Sequence, residues 1–155
     1  MEELKEGINA PDFKGINQDE KIIKLSDFKG KKIVLYFYPK DNTSGCTAEA
    51  CNLSENYNDF LKKGFEVIGV SPDSVKSHKK FIEKHKLPFN LISDEDKKIL
   101  TAYGVWGEKK MYGRTYMGVI RTTFIIDENG KIEKIIKKVK TKEHSQQIFN
   151  ELKLN

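Results

Sequence analysis

This 155-residue chain has few of the features that would announce a membrane, extracellular or nucleic-acid-binding protein. No apolar run approaches the ~20 residues needed to cross a bilayer. Two cysteines are too few for a disulfide framework, and three histidines are too few for a recognisable zinc set. There are four prolines and no Pro- or Ser-rich tract, so the chain reads as one domain spanning residues 1–155. The start, MEELKEGINAPDF, is acidic and polar, unlike a signal peptide, which leads to an expected cytoplasmic location. The net charge is +5. Lysine carries it, spread among Asp and Glu without a basic block that interleaves aromatics, so neither nucleic acid nor membrane is an expected partner. Arginine is almost absent: Arg114 and Arg121 are the only two among 28 basic residues. In a Lys-rich chain, an Arg invites a search for forked chemistry that Lys cannot perform.

What is present is an alternation of apolar segments. Ile22 to Leu25 reads as a short strand, paired with the stretch near Phe13. IVLYFYP, Ile33 to Pro39, reads as a central strand buried on both faces. Ala50, Leu53, Tyr57, Phe60 and Leu61 fall at helical spacing in one helix from Cys46 to about Lys62. Further strands are expected at Phe65–Ser71, Leu87–Ile92, Met117–Ile126 and Lys131–Val139. Helices are expected at Ser74–His85, with Ser74 as cap, at about Glu95–Tyr103, and at Glu143–Leu154. The order indicates an α/β three-layer sandwich with a mixed sheet, whose sites form at the carboxyl ends of central strands.

Both cysteines lie in PKDNTSGCTAEAC, Pro39 to Cys51, just past the central strand. Thr43 or Ser44 can cap a helix there, Gly45 permits a tight turn, and Cys46 falls in the first helical turn. Free N–H groups and the helix dipole would then favour thiolate, making Cys46 a candidate nucleophile. Five residues along an intact helix separate the Cα atoms of Cys46 and Cys51 by roughly 8.7 Å. A disulfide needs them within about 7 Å. A bond between them therefore requires local unwinding, which suits a redox cycle better than a static bridge. Inert core cysteines, a metal pair and a thioredoxin-type dithiol stay open as readings, although the last is expected to be C-x-x-C.

YFYPKDNTSGCTAEAC resembles the active-site signature of the peroxiredoxins, P-x-x-x-T/S-x-x-C, with Pro39, Thr43 and Cys46 in place. Cys51 five residues on is similar to the bacterioferritin-comigratory, or peroxiredoxin Q, group, and Lys110 to Asp127 looks like that group's second block. Ser44 stands where the group often has Pro, with a small effect expected on loop rigidity. The resemblance implies a thioredoxin-like fold and a thiol peroxidase for hydrogen peroxide and organic hydroperoxides. Cys46 would be peroxidatic and Cys51 resolving, through an intramolecular disulfide re-reduced by a thioredoxin-like donor. Thr43 would offer its hydroxyl, Arg121 would point its fork at sulfur and peroxide, Pro39 would shield the pocket, and Glu49 would hold Arg121. No cofactor or metal is implied, and a monomer suffices.

Two other functions compete. A thiol–disulfide oxidoreductase on this scaffold would carry a cis-Pro where Arg121 stands and C-x-x-C where Glu49 stands. A redox sensor or chaperone-like binding protein could use the same cysteine switch. Elsewhere, Trp106 and Met111 read as packing or pocket rim, Arg114 as a surface residue, and His78, His85 and His144 as exposed helix residues.

Overall fold

The computed structural model describes residues 4–154; residues 1–3 and 155, the ends of the expected domain, lie outside it. A seven-stranded sheet forms the middle layer, in the order β2-β1-β5-β4-β3-β8-β9. Its strands are β1 (Lys14–Asn17), β2 (Ile22–Lys24), β3 (Lys32–Phe37), β4 (Phe65–Ser71), β5 (Asn90–Ser93), β8 (Thr122–Ile126) and β9 (Ile132–Ile136). The β3–β4–β5 block is parallel and the flanking pairs are antiparallel, so the sheet is mixed as expected.

Strand β3 shows why the fold has two cores. Ile33, Leu35 and Phe37 point to one face, with Ile68, Phe124 and Tyr103. Val34, Tyr36 and Tyr38 point to the other, with Cys46, Leu53 and Phe81. Alternation on a strand buried on both faces divides its apolar residues between two layers. Helices α1 (Ser44–Glu55), α2 (Tyr57–Lys62), α3 (Val75–His85) and α5 (His144–Glu151) bring residues to the second core, and α4 (Lys98–Ala102) to the first. Gly69 sits where the tyrosine ring comes closest: a Cβ there would lie 2.8 Å from the Tyr36 ring and 2.7 Å from Leu91.

Several boundaries differ from the sequence expectations. The helix expected to run unbroken to Lys62 stops at Glu55, and Asn56 (φ −106°, ψ 10°) turns the chain into α2. Strand β5 begins at Asn90, after Pro88, which has no N–H for a ladder. Helix α4 starts only at Lys98, because the Asp94 carboxylate accepts from the backbone N–H groups of Ile99 and Leu100. Ser74 does cap α3, accepting from the Ser77 N–H at 3.1 Å.

The largest difference is in Met117–Ile126, expected as one strand. It is divided between two sheets: β7 (Arg114–Val119) pairs with β6 (Trp106–Met111) in a separate hairpin, and β8 joins the main sheet. Arg121 lies in the break between them, not inside a strand. Trp106 packs against the first core, whereas Met111 is exposed on the hairpin. Arg114 is exposed as expected. His78 and His144 are fully buried and His85 is half-buried, against the expectation of exposed histidines.

Candidate active site

Strand β3 ends at Phe37, and the chain then turns through Pro39, which is half-buried, and Asn42, whose φ of 64° is left-handed. Asparagine tolerates that conformation better than most residues with a Cβ. Helix α1 follows, and Thr43 occupies its N-cap. The helix leaves the N–H groups of its first turn without carbonyl partners, facing the same end as Cys46.

Thr43 departs from expectation in detail. Its side chain makes no capping bond. It is exposed, and its hydroxyl donates to the Lys40 carbonyl at 2.8 Å. With that hydrogen committed, the oxygen presents only lone pairs to an incoming molecule. Ser44 is the first helical residue and does not cap.

Cys46 is buried, and Cys51 is partly so; both are free thiols on one continuous helix. Helix α1 thus holds them apart, in keeping with the geometric argument. Burial, and then the charge of Glu55, push the Cys51 thiol above its ordinary pKa. In the folded helix it is therefore held as a thiol.

Arg121 arrives from the β7–β8 junction and divides its fork. One arm, Nη1, donates to Glu49 Oε1 at 2.6 Å; the other, Nη2, donates to Cys46 Sγ at 3.3 Å. The Glu49 side chain is wholly buried and the Arg121 side chain is about a quarter exposed. Gly45 lies beside this arm, where a Cβ would make only an ordinary contact with Nη2 at 3.4 Å. The structure therefore brings together Cys46, Glu49 and Arg121 and places Thr43 at the cap of the same helix.

Behind Glu49 lies His144, read from the sequence as an exposed helix residue but fully buried here. His144 Nδ1 faces Gln147 Oε1 at 2.9 Å, and Nε2 faces the Thr123 hydroxyl at 2.7 Å. Gln147 Oε1 can only accept, so Nδ1 carries the hydrogen and Nε2 accepts from Thr123. Nε2 also stands 3.6 Å from Glu49 Oε2, a buried oxygen with no hydrogen-bond partner among the described residues. The signal was available: His144 precedes the core residue Ile148 by four, which puts both on one helix face.

These two groups carry opposite proton linkages. Burial raises the Glu49 carboxyl from 4.5 to about 7, although Arg121 opposes the rise. The folded chain keeps a proton there that the unfolded chain has lost, so stability falls as pH climbs from about 4.5 to about 7. Burial lowers His144 from 6.5 to about 4. The folded ring is then neutral where the unfolded one is charged, so stability rises from pH 4 to 6.5. We expect Glu49→Gln to unmask the His144 slope, with urea midpoints climbing from pH 4.5 to 6.5. We expect His144→Gln to unmask the reverse slope, while the parent chain is flatter than either. Parallel pH profiles for all three proteins would refute this pairing.

Comparison with known proteins identifies the family. The AhpC/TSA family matches residues 7–135. Peroxiredoxin Bcp of Bacillus subtilis is 48% identical over 147 residues, covering 95% of this chain and 94% of that protein. A protein of Haemophilus influenzae named as a Bcp peroxiredoxin is 46% identical over 153 residues, 99% of each chain. Among solved structures, the bacterioferritin comigratory protein of Xanthomonas campestris, described in connection with alkyl peroxide reduction, superposes with a TM-score of 0.88. It is 34% identical and covers 96% of this chain and 98% of that one. With a matching fold, a family match over most of its length and relatives at this level of identity, the chain belongs to the AhpC/TSA family, in its bacterioferritin-comigratory group of peroxiredoxins.

Proposed function

We propose that this protein is a thiol peroxidase in which Cys46 reduces hydroperoxides and Cys51 completes the cycle. The observation that carries this reading is the Arg121 fork, which joins the Cys46 sulfur to a buried carboxylate at the start of α1. A guanidinium held in this way balances negative charge on sulfur and on the oxygens of a peroxide as their bond stretches.

The Cys46 thiolate attacks one peroxide oxygen. A sulfur–oxygen bond forms, the oxygen–oxygen bond breaks, and the leaving oxygen departs as an alcohol or water after taking a proton. Thr43, whose hydrogen points to Lys40, accepts the peroxide O–H and so orients the substrate. Pro39, which has no N–H, borders the loop and helps exclude water. The first turns of α1 then unwind, and the Cys51 thiolate attacks the Cys46 sulfenic acid. A disulfide forms and water leaves. A thioredoxin-like dithiol reduces the disulfide. Alkyl hydroperoxides as well as hydrogen peroxide fit this chemistry, and the X. campestris relative supports the former. The cycle needs no second subunit and no cofactor, and it suits a monomer in a cytoplasm that keeps thiols reduced. A thiol–disulfide oxidoreductase has no evident use for a fork on the attacking sulfur.

One equivalent of hydrogen peroxide, followed by intact mass and thiol counting, tests the reading. The parent chain is expected to lose both thiols and two hydrogens. Cys51→Ser is expected to react at the parent rate, stop at a Cys46 sulfenic acid, and stall after one turnover with thioredoxin. Two persistent thiols in the folded, reduced parent would sink the proposal.

A further inference from the structure

A second buried histidine lies on the other side of the Cys46 loop, and the mechanism above makes no use of it. His78 is fully buried on α3. Its Nδ1 is 2.7 Å from Asp41 Oδ2, and its Nε2 is 3.0 Å from the carbonyl of Ile92. A carbonyl can only accept, and the Asp41 carboxylate already takes hydrogens from the Ser77 hydroxyl at 2.8 Å and the Tyr38 hydroxyl at 2.6 Å. Nε2 therefore carries a hydrogen, and the Nδ1–Asp41 contact is the shortest that the ring makes. Asp41 is pinned a second time by its backbone, whose N–H donates to Asp73 Oδ2 at 2.8 Å. Asp73 is itself fixed by the Ser71 hydroxyl on its carboxylate and the Ser93 hydroxyl on its carbonyl. Tyr38, just past β3, and Ser77 and His78 of α3 thus meet at the Asp41 carboxylate, while β4 and β5 support it through Asp73 and His78.

Asp41, Asp73 and His78 have the composition of a cation site, with ligand atoms within 4.8 Å of one another. However, both Asp41 oxygens and both His78 nitrogens are already committed to hydrogen bonds. The cluster is a clamp.

A matching clamp closes the far end of the segment. The Asn52 side chain accepts from the Ser145 N–H at 2.7 Å and donates to the Lys142 carbonyl at 3.1 Å, and the Ser145 hydroxyl donates to the Asn52 carbonyl. Asp41 and Asn52 bracket the stretch from Asn42 to Cys51, which contains Thr43 and both cysteines. Neither cysteine is itself tied down by these clamps.

We propose that His78 is a positioning residue for Cys46: through Asp41 it anchors the near end of the segment that must unwind, while Asn52 anchors the far end. The inference rests on the peroxidase reading. The anchored loop presents Thr43 and the first turn of α1 in reactive register. Unwinding between the clamps lets the cysteines meet without disturbing the sheet. Loosening the near clamp should therefore harm the peroxide step and spare or speed the disulfide step.

The experiment separates the two steps in single turnover, following hydrogen peroxide consumption and then disulfide formation. The parent chain reports on the peroxidase reading by itself. For His78→Gln we expect the peroxide step to slow about tenfold and the disulfide step to be unchanged or faster. Ser77→Ala removes one hydrogen bond to Asp41, keeps the His78–Asp41 contact, and should show the same split at smaller size if His78→Gln fails to fold. Phe60→Leu, which loosens the same core far from the loop, serves as the control for general destabilisation and should show no split. Amide exchange at Asp41 to Thr47 should quicken in the His78 and Ser77 variants. A parent-like peroxide rate in a folded clamp variant, or equal slowing of both steps, would overturn the proposal.

Discussion

Cys46→Ser is expected to abolish peroxide turnover, leaving only the rate of the buffer. The substitution keeps the shape of a side chain that is 1% exposed and packed near Ala50 and Leu53. Arg121 can still donate to a serine oxygen, so the fold should survive with little loss. What disappears is the nucleophile. A thiol can ionise near neutral pH and is intrinsically reactive toward peroxide, whereas a serine hydroxyl needs a general base to attack at all. Among the described residues none is placed to serve: Glu49 is engaged with Arg121, and the His144 ring stands behind Glu49. Coupling peroxide loss to a thioredoxin donor measures the effect. Retained multiple turnover would remove Cys46 from the chemistry.

Arg121→Lys is expected to slow the peroxide step by about 100-fold, the scale seen when one donor to a developing negative charge is lost. The argument is geometric. Two arms of one rigid plane reach Glu49 and Cys46 together, at 2.6 Å and 3.3 Å. An ammonium on a flexible stem is a point charge and cannot hold the same two partners in a fixed fork. The buried carboxylate is the stronger competitor, so the sulfur loses its donor. Arg121→Ala is a poorer test, because it strands Glu49 without a cation, a type of loss worth about 3–5 kcal/mol. The second-order rate constant of reduced protein with hydrogen peroxide is the measurement. An unchanged value would show that the fork is structural.

Much of the site could be read from the residues, because its parts lie at fixed local spacings. Cys46 and Glu49 are one helical turn apart, and an Arg beside the apolar TTFII strand demanded a buried partner. The remainder depended on which layer an element joins. MGVIRTTFII is continuous in character, and no periodicity reveals that its halves enter different sheets. WGEKKM offers no strand pattern of its own, with Trp106 and Met111 reading as packing or pocket rim, yet all six residues pair with Arg114–Val119. His78 stands three residues before the buried Phe81, so helical spacing offered a warning that its lysine-rich surroundings obscured. The Thr43 hydroxyl could not be foreseen, because its partner is a backbone carbonyl in a turn whose shape is set by Asn42.

The order of the sheet also bears on how this chain avoids sticking to itself. A sheet that ends on β2 and β9 offers two borders to which a foreign strand could add. Strand β2 is three residues long, ends in Lys24 and is preceded by Lys21, so a docking strand would find little ladder and two charges to bury. At β9 the chain covers its own border: Gly7 donates to the Ile132 carbonyl, Ile132 donates to Ile8, and the Glu6 carboxylate takes the Ile135 N–H. Part of the abundant lysine therefore acts as a gatekeeper against intermolecular β-pairing, which would matter most during the unwinding of α1 proposed for the catalytic cycle.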